Sequence, residues 1–572
     1  MSLVSASTGS AAASSTRLFN ALAVVLLVAM LALVIVPIGV MLASSFMAGD
    51  GAAVSRMADA IASPAILKVL LDTFIVVIAS TTLALCIGAT FAWINERTDA
   101  NLGFAADILP LVPLLVPQIA GVTGWVTLLS PQAGFLNAAL RNVLAAFGFE
   151  FDTGPINIFS YAGLICVMTL YLVPYGYLII SSALQQLNPS LEEAARISGA
   201  SPFKTLRRVT LPAIKPAIMN AAIIVFIFGI SLFSVPIVIG TGAGIDLLSV
   251  RIYRLLYNYP PRMEQAIALS FIMMVVVQAA VAAQVLAIRS RTHAEIAGKG
   301  QAASRVELGR WRGVAMTSVI IYLLLTAVLP LIALVIVSLQ PFWVPTISID
   351  NLNLQNFVFV LFENNLSIRA LVNSIGLGIV AATLGMLLSA IFVTYARSVG
   401  TRAQAMIEAL TALPATIPQT VTGVAIVVTF SGGIINLHGT LAILLLAYLL
   451  ISLPQSMRSA RAAVSQVGQD LVEAAKMAHA SQFRIFRRIM FPLMRPGLVA
   501  GWVILFIYTS GELTASALLA GTGNPVVGIV LLDLWENGSF PQLAAIAVIM
   551  TILDMVVVGG ILRFSKLRSA IS

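Results

Sequence analysis

Residues Asn188 to Pro216 read NPSLEEAARISGASPFKTLRRVTLPAIKP, and residues Gly468 to Pro496 read GQDLVEAAKMAHASQFRIFRRIMFPLMRP. Aligned at a shift of 280, eleven of the 29 positions are identical. Chance gives about one or two, so the chain contains an internal duplication. Further upstream, Pro113-x3-Pro117-Gln118 matches Pro414-x3-Pro418-Gln419 at a shift of 301. The shift changes because the first copy holds about 21 extra residues near 131–160.

The repeated segment has a physical reading of its own. Asn188 is placed to cap a helix with Pro189 at its first position, and Glu192 and Glu193 fall in the early turns, where a carboxylate meets the positive end of the helix. Ala194 and Ala195 keep that helix thin enough for close approach by a partner backbone. Gly199 ends it, being free to take positive φ. Ser201-Pro202 opens a second short helix on which Lys204, Arg207 and Arg208 share one face and Phe203, Leu206 and Val209 another. The second copy repeats the basic face with Arg484, Arg487 and Arg488. Two such segments on a pseudo-symmetric protein suggest two equivalent docking points for a two-fold partner.

What surrounds these segments is apolar. Of 572 residues, 59% are hydrophobic and 10% charged, with a mean hydropathy of +1.01. Soluble domains carry about 25% charged residues, so most of this surface does not face water and the chain reads as a polytopic membrane protein. The alternating strands of a membrane β-barrel are absent, leaving an all-α bundle. His293, His438 and His479 are scattered, so no metal site is expected. Cys86 and Cys166 lie inside apolar runs and read as buried thiols.

Apolar stretches long enough to cross about 30 Å of hydrocarbon fall at about 18–46, 69–95, 108–130, 158–182, 217–240 and 265–288, then at 313–339, 371–396, 405–431, 439–457, 497–520 and 543–563. That is about twelve transmembrane helices as two homologous halves of six. The expected organisation is a flexible N-terminus (1–17), a first membrane domain (18–288), a cytoplasmic linker (289–312), a second membrane domain (313–563) and a cytoplasmic tail (564–572). Loops on one side hold 25 of the 32 basic residues, including both repeated segments and the linker. The positive-inside rule then places both termini in the cytoplasm. The net charge of +9 has a topological cause, and no nucleic-acid partner is needed to explain it.

Glu193-Ala194-Ala195-x3-Gly199, followed after nine residues by Val209-x-Leu211-Pro212, resembles the EAA loop of the permeases of ABC importers. The second copy keeps Glu473, Ala474, Ala475, Ile489 and Pro492, with His479 where the family has glycine and Phe491 in place of leucine. The resemblance spans nearly the whole chain. It implies the type I ABC importer permease fold, here as two fused permease domains in the inner membrane. It also implies that each EAA helix docks on a separate, homodimeric ABC ATPase subunit, which carries ATP and Mg, and that an extracytoplasmic solute-binding protein delivers the cargo. The chain itself would bind no cofactor and catalyse no reaction; it has no G-x4-G-K-[ST] phosphate loop. Fused permeases of this length resemble the ferric-iron import branch, with relatives handling 2-aminoethylphosphonate, thiamine or polyamines. The segment Glu512-Leu513-Thr514-Ala515-Ser516 carries the closest likeness to the iron branch, although Gly511 stands where that branch often has arginine.

Glu512 and Asp554 are the clearest carboxylates inside apolar runs, where a charge costs roughly 2.5 kcal/mol or more and usually faces a cavity or a partner. Glu512, Thr514, Pro117 and Pro418 are the candidate pathway residues, the prolines because each bends its span and frees backbone carbonyls. An ion-coupled secondary transporter would also show duplicated halves and broken helices, but two intramembrane acids are few for ion coupling, and that class leaves the duplicated loops unexplained.

Overall fold

The computed structural model describes residues 2–47, 63–101, 103, 116–289, 305–432 and 436–569. Pro113, linker residues 290–304 and the first part of the third expected span lie outside the described residues. Among the described residues nine helices are long and apolar enough to cross a membrane, or eleven if two bent pairs each count as one span. The remaining expected span is represented by Gln118–Leu129, about 18 Å long at 1.5 Å per residue. The only β contact among the described residues is an isolated bridge between Thr98 and Val306.

Three expected spans are interrupted. The ninth turns through 91° between Thr401–Thr416 and Gln419–Phe430. Pro414 lies in the short 3-10 turn that ends the first piece, and Pro418 is the extended residue before the second. Pro117 precedes Gln118–Leu129 in the same conformation. The Pro414/Pro418 pair thus marks where a helix ends and restarts, with Ile417 extended because the residue before a proline is pushed out of the α region. The fifth span bends by 70° between Pro202–Ala213 and Lys215–Ser231 and stops at Leu232. The eleventh stops at Ser510 and resumes as Thr514–Leu519. At the N-terminus the first helix runs from Ser2 to Met47, so residues 2–17, expected as a flexible lead-in, are drawn as helix in an Ala- and Ser-rich stretch without proline.

The chain forms two compact units. One holds residues 49–365 and 531–550. Its centre is Pro64–Arg97 packed along Tyr161–Gln186, with Lys215–Ser231 against both. Leu329–Leu339 packs on Gln118–Leu129 at Gly124, where a Cβ would lie 2.7 Å from the Pro330 carbonyl oxygen. Nearby, Tyr322 packs edge-on to Phe91 and its hydroxyl donates to the Leu170 carbonyl at 3.0 Å. The other unit holds residues 1–48, 366–530 and 551–572. Here the N-terminal helix packs on Gln419–Phe430, and the Gln482 N–H donates to the Thr16 hydroxyl at 3.1 Å. Each compact unit therefore contains the first span of the opposite sequence half, a partition different from the boundaries at 18–288 and 313–563. Helix association in lipid follows close fit, not chain order. Cys86 and Cys166 are both exposed, which a hydrocarbon surround permits an apolar thiol.

Close fit is visible where Leu441–Ser465 meets Phe491–Ser510. Gly497 and Gly501, one turn apart, face Ala463 and Ser459, and a Cβ at either would come within 2.7 Å of the opposing side-chain carbon. Gly497→Leu or Gly501→Leu should separate these helices and cost about 1–3 kcal/mol. Thermal unfolding of the purified chain should show the drop, and the same substitution at Gly313, which has open space around it, should leave the midpoint unchanged.

Candidate functional site

Both repeated segments fold alike. The first helix is Ser190–Ile197, and the second is Gln469–Met477. Asn188 accepts from the Ser190 N–H at 3.1 Å, so the helix begins one residue later than the spacing suggests. At the far end the first copy has Ser198 N–H donating to Ala194 O, Gly199 to Arg196 O and Ala200 to Ala195 O, at 2.9–3.0 Å. The second copy repeats each bond through Ala478, His479 and Ala480. Gly199 takes φ of 81°, and His479, the one non-glycine residue with positive φ among the described residues, takes 55°. The histidine therefore reproduces the glycine's turn at a cost of about 1–2 kcal/mol. Ser201 and Ser481 then cap the next short helix, each accepting an N–H three residues on at 3.4 Å.

The surface these helices present is also duplicated. Ile197 is 88% exposed and Met477 82%; Phe203 is 71% exposed and Phe483 49%. Leu191 and Leu471 are exposed as well, and all three pairs are related by the shift of 280. Ala194, Ala474 and Glu473 are exposed beside them, while Glu193, Ala195 and Ala475 are half-buried. The basic faces Lys204, Arg207, Arg208 and Arg484, Arg487, Arg488 are exposed, as are Leu211, Pro212 and Pro492. The apolar pairs were legible only as an amphipathic pattern; the identical residues drew attention instead to Glu-Ala-Ala and the arginines.

One anchor was missed. Glu192, beside the family glutamate, is buried, pairs as an ion with Arg97, whose Nε lies 2.8 Å away, and accepts the Thr210 hydroxyl at 2.6 Å. Arg97 is buried too, and its Nη2 donates to the Leu184 and Leu187 carbonyls at 2.5 and 3.3 Å. This cation at the end of Pro64–Arg97 ties Ser190–Ile197 to the ends of two spans. In the second copy Arg397 occupies the equivalent place and donates to the Val467 carbonyl at 3.4 Å, but the residue equivalent to Glu192 is Val472.

The candidate pathway residues lie at the breaks. Glu512 is buried, and its carboxylate accepts the Ala515 N–H at 2.8 Å, the Ser516 N–H at 3.0 Å and the Ser516 hydroxyl at 3.1 Å. It thereby caps Thr514–Leu519, of which Thr514 is the buried first residue. The Tyr448 hydroxyl joins the same cluster, 2.7 Å from that of Ser516. Leu232, its counterpart at the first-copy break, has no such capacity; there the Leu232 carbonyl accepts the Ser249 hydroxyl at 2.9 Å. Following the prolines, Gln118 accepts the Ser234 hydroxyl at 3.2 Å, and Gln419 pairs with the Tyr508 hydroxyl. Asp554 is buried with one oxygen 3.3 Å from the Ser510 hydroxyl. Among the described residues no cluster of His, Cys, Asp or Glu is arranged to hold a metal ion.

A multi-span helical protein with paired, outward-facing loop helices is a membrane transport subunit in form. The family model described as binding-protein-dependent transport system inner membrane component matches residues 84–292 and 374–568, once per repeat. The chain belongs to that family, the permeases of ABC importers, and is a multi-pass inner-membrane protein. It is 24% identical over 474 residues to the ferric transport system permease protein FbpB of Actinobacillus pleuropneumoniae, covering 82% of this chain and 67% of that one. It is likewise 24% identical over 238 residues to a putative 2-aminoethylphosphonate transport system permease protein of Salmonella paratyphi A, covering 42% and 89% respectively. A bacterial ABC transporter involved in alginate import aligns with 45% of this chain and 89% of its own at a TM-score of 0.35 and 21% identity.

The Arg97–Glu192 pair makes a testable contrast. Arg97→Met alone leaves a buried carboxylate without its cation and should destabilise the chain by about 3–5 kcal/mol. Adding Glu192→Val, which installs the second copy's residue, should recover most of that loss in a thermal unfolding series. At the second helix end, His479→Gly should unfold at the same temperature or higher, and His479→Val lower, because a β-branched residue is poorly accommodated at positive φ.

Proposed function

We propose that this chain is the fused membrane-spanning subunit of an ATP-driven importer for ferric iron. The observation that carries the importer mechanism is the duplicated exposed surface: Ile197 with Phe203 and Met477 with Phe483, each beside a Glu-Ala-Ala helix and a basic face. A homodimeric ABC ATPase subunit offers two equivalent grooves, and each would receive one of these helices. ATP and Mg sit on that partner, and the chain supplies no cofactor site. ATP binding closes the ATPase pair and draws the two docking helices together, which opens the spans outward to a cargo-loaded extracytoplasmic solute-binding protein. Hydrolysis returns the spans to the inward-facing state. Both termini, the linker and both docking segments lie in the cytoplasm on this reading, in keeping with the excess of lysine and arginine there.

Ferric iron is the substrate class supported by the relatives named ferric transport permeases, which match both repeats in one chain. Pro117, Pro418, Thr514 and Glu512 set the shape of the pathway at its broken helices. Glu512 does so as a cap, since both of its oxygens already accept hydrogen bonds from its own chain.

Two measurements test this reading separately. Affinity purification should bring down an ATPase, and the double substitutions Glu193→Lys/Glu473→Lys and Ile197→Asp/Met477→Asp should each release it from a chain that remains inserted. Full retention in both would overturn the docking assignment. Cells lacking the gene should lose high-affinity uptake of radiolabelled ferric iron under iron limitation and regain it with the gene. Unchanged uptake with intact ATPase retention would refute iron and move the substrate to 2-aminoethylphosphonate, thiamine or polyamine.

A further inference from the structure

The second repeat holds a cavity of about 190 Å³. It lies between Asn365–Ser398, Thr401–Ala412 and Leu441–Ser465, and its polar lining is Arg397, Gln404, Glu408 and Arg461. Arg461 is 3.7 Å from the Glu408 carboxylate, and Gln404 donates to the same carboxylate at 3.1 Å. The Arg461 Nε is buried without a hydrogen-bond partner. Arg397 makes no ion pair within 4 Å among the described residues and is held only by its long bond to the Val467 carbonyl. Arg461 is thus paired with Glu408, its Nη2 also donating to the Glu408 carbonyl and the Thr411 hydroxyl at 3.4 and 3.5 Å, while Arg397 lines the same open space without a carboxylate partner among the described residues.

The first repeat is the internal control. There the arginine equivalent to Arg397 is Arg97, and it is neutralised by Glu192; the residue equivalent to Arg461 is Ser181. In the second repeat Val472 stands in place of that carboxylate, and Arg461 stands in place of Ser181. Gln404 belongs to the first turn of Thr401–Ala412, whose N-cap is Gly400 and carries no side-chain cap. The positive end of that helix adds to the two arginines. The volume corresponds to roughly six waters, enough for a tetrahedral anion with part of an ester substituent.

We propose that this cavity binds a phosphate group, held between Arg397 and Arg461. Guanidinium forks approaching from two helices suit a tetrahedral anion that accepts on several faces. Either a free phosphate or phosphomonoester, or the headgroup of an anionic phospholipid, supplies that chemistry.

The test uses the purified full chain. Binding of radiolabelled inorganic phosphate is measured in neutral detergent, and retention of cardiolipin is measured by mass spectrometry after transfer to phosphatidylcholine nanodiscs with a trace of cardiolipin. Saturable binding of either probe is expected, weakened at least tenfold in Arg397→Gln and unchanged in Arg402→Gln, an exposed cation outside the cavity lining. Phosphate binding alone identifies a free ligand, and cardiolipin retention alone a lipid. Val472→Glu guards against misfolding: it keeps both arginines, restores the first repeat's carboxylate, and should weaken binding to the same degree with an unaltered unfolding temperature. Absence of saturable binding of both probes, or binding in Arg397→Gln and Val472→Glu equal to that of the unaltered chain, would overturn the proposal.

Discussion

A helix broken inside a membrane must satisfy its freed backbone groups from within the protein, because hydrocarbon offers no hydrogen bonds. Much of what is distinctive here follows from that constraint. Two spans stop and restart, at Leu232 and at Ser510, and a third turns by 91° at Pro418. Each break recruits a polar side chain. Glu512 supplies both oxygens to the N–H groups of the helix that follows it; Ser249 closes the Leu232 carbonyl; Gln118 and Gln419 bind hydroxyls beside the proline turns. Acidic, amide and hydroxyl residues in apolar runs are therefore explained first by backbone geometry.

The duplication separates what the fold requires from what each half has been free to change. The turn that closes the docking helix is kept to within 0.1 Å in its three hydrogen bonds, even though glycine has become histidine. Preservation of a left-handed backbone at the expense of the residue best suited to it argues that the turn's geometry is the selected property. The anchor behind the helix has diverged: a buried ion pair in one copy, an arginine on a carbonyl in the other. Ser190–Ile197 is tied to Arg97 by a buried ion pair, whereas in the second repeat Arg397 reaches only the Val467 carbonyl, ahead of Gln469–Met477.

Much of this was legible in residues alone. Apolar run length located eleven of the twelve expected spans, with the two bent pairs counted, because lipid imposes one length on every crossing segment. The repeat located both short loop helices, including the positive-φ turn at Gly199 and its counterpart at His479. The exchange of first spans was hidden, since apolar helices in lipid carry no sequence mark of which neighbour they pack against; only the small residues facing them, such as Gly124 beneath Pro330, record the choice. Glu192 was hidden for a different reason. Glu192 and Glu193 are adjacent on a short helix, and only the partner Arg97, about ninety residues away, distinguishes the buried one from the half-buried one. Glu512 was legible as unusual, but its role as a cap depended on a helix break that its apolar surroundings conceal.

The divergence between the anchors bears on how a symmetric partner drives an asymmetric subunit. If two identical grooves push on two docking helices, the displacement each passes to its spans depends on the stiffness of the joint behind it. In the first repeat the joint is a desolvated Arg97–Glu192–Thr210 cluster, in which any displacement separates charges at low dielectric and is therefore resisted steeply. In the second the Arg397 joint has no carboxylate to lose, so the same push meets a softer response. On the proposed docking, equal strokes at two grooves would produce unequal movement in the two repeats, and the repeat that carries the Glu512 break would be the one with the more compliant connection.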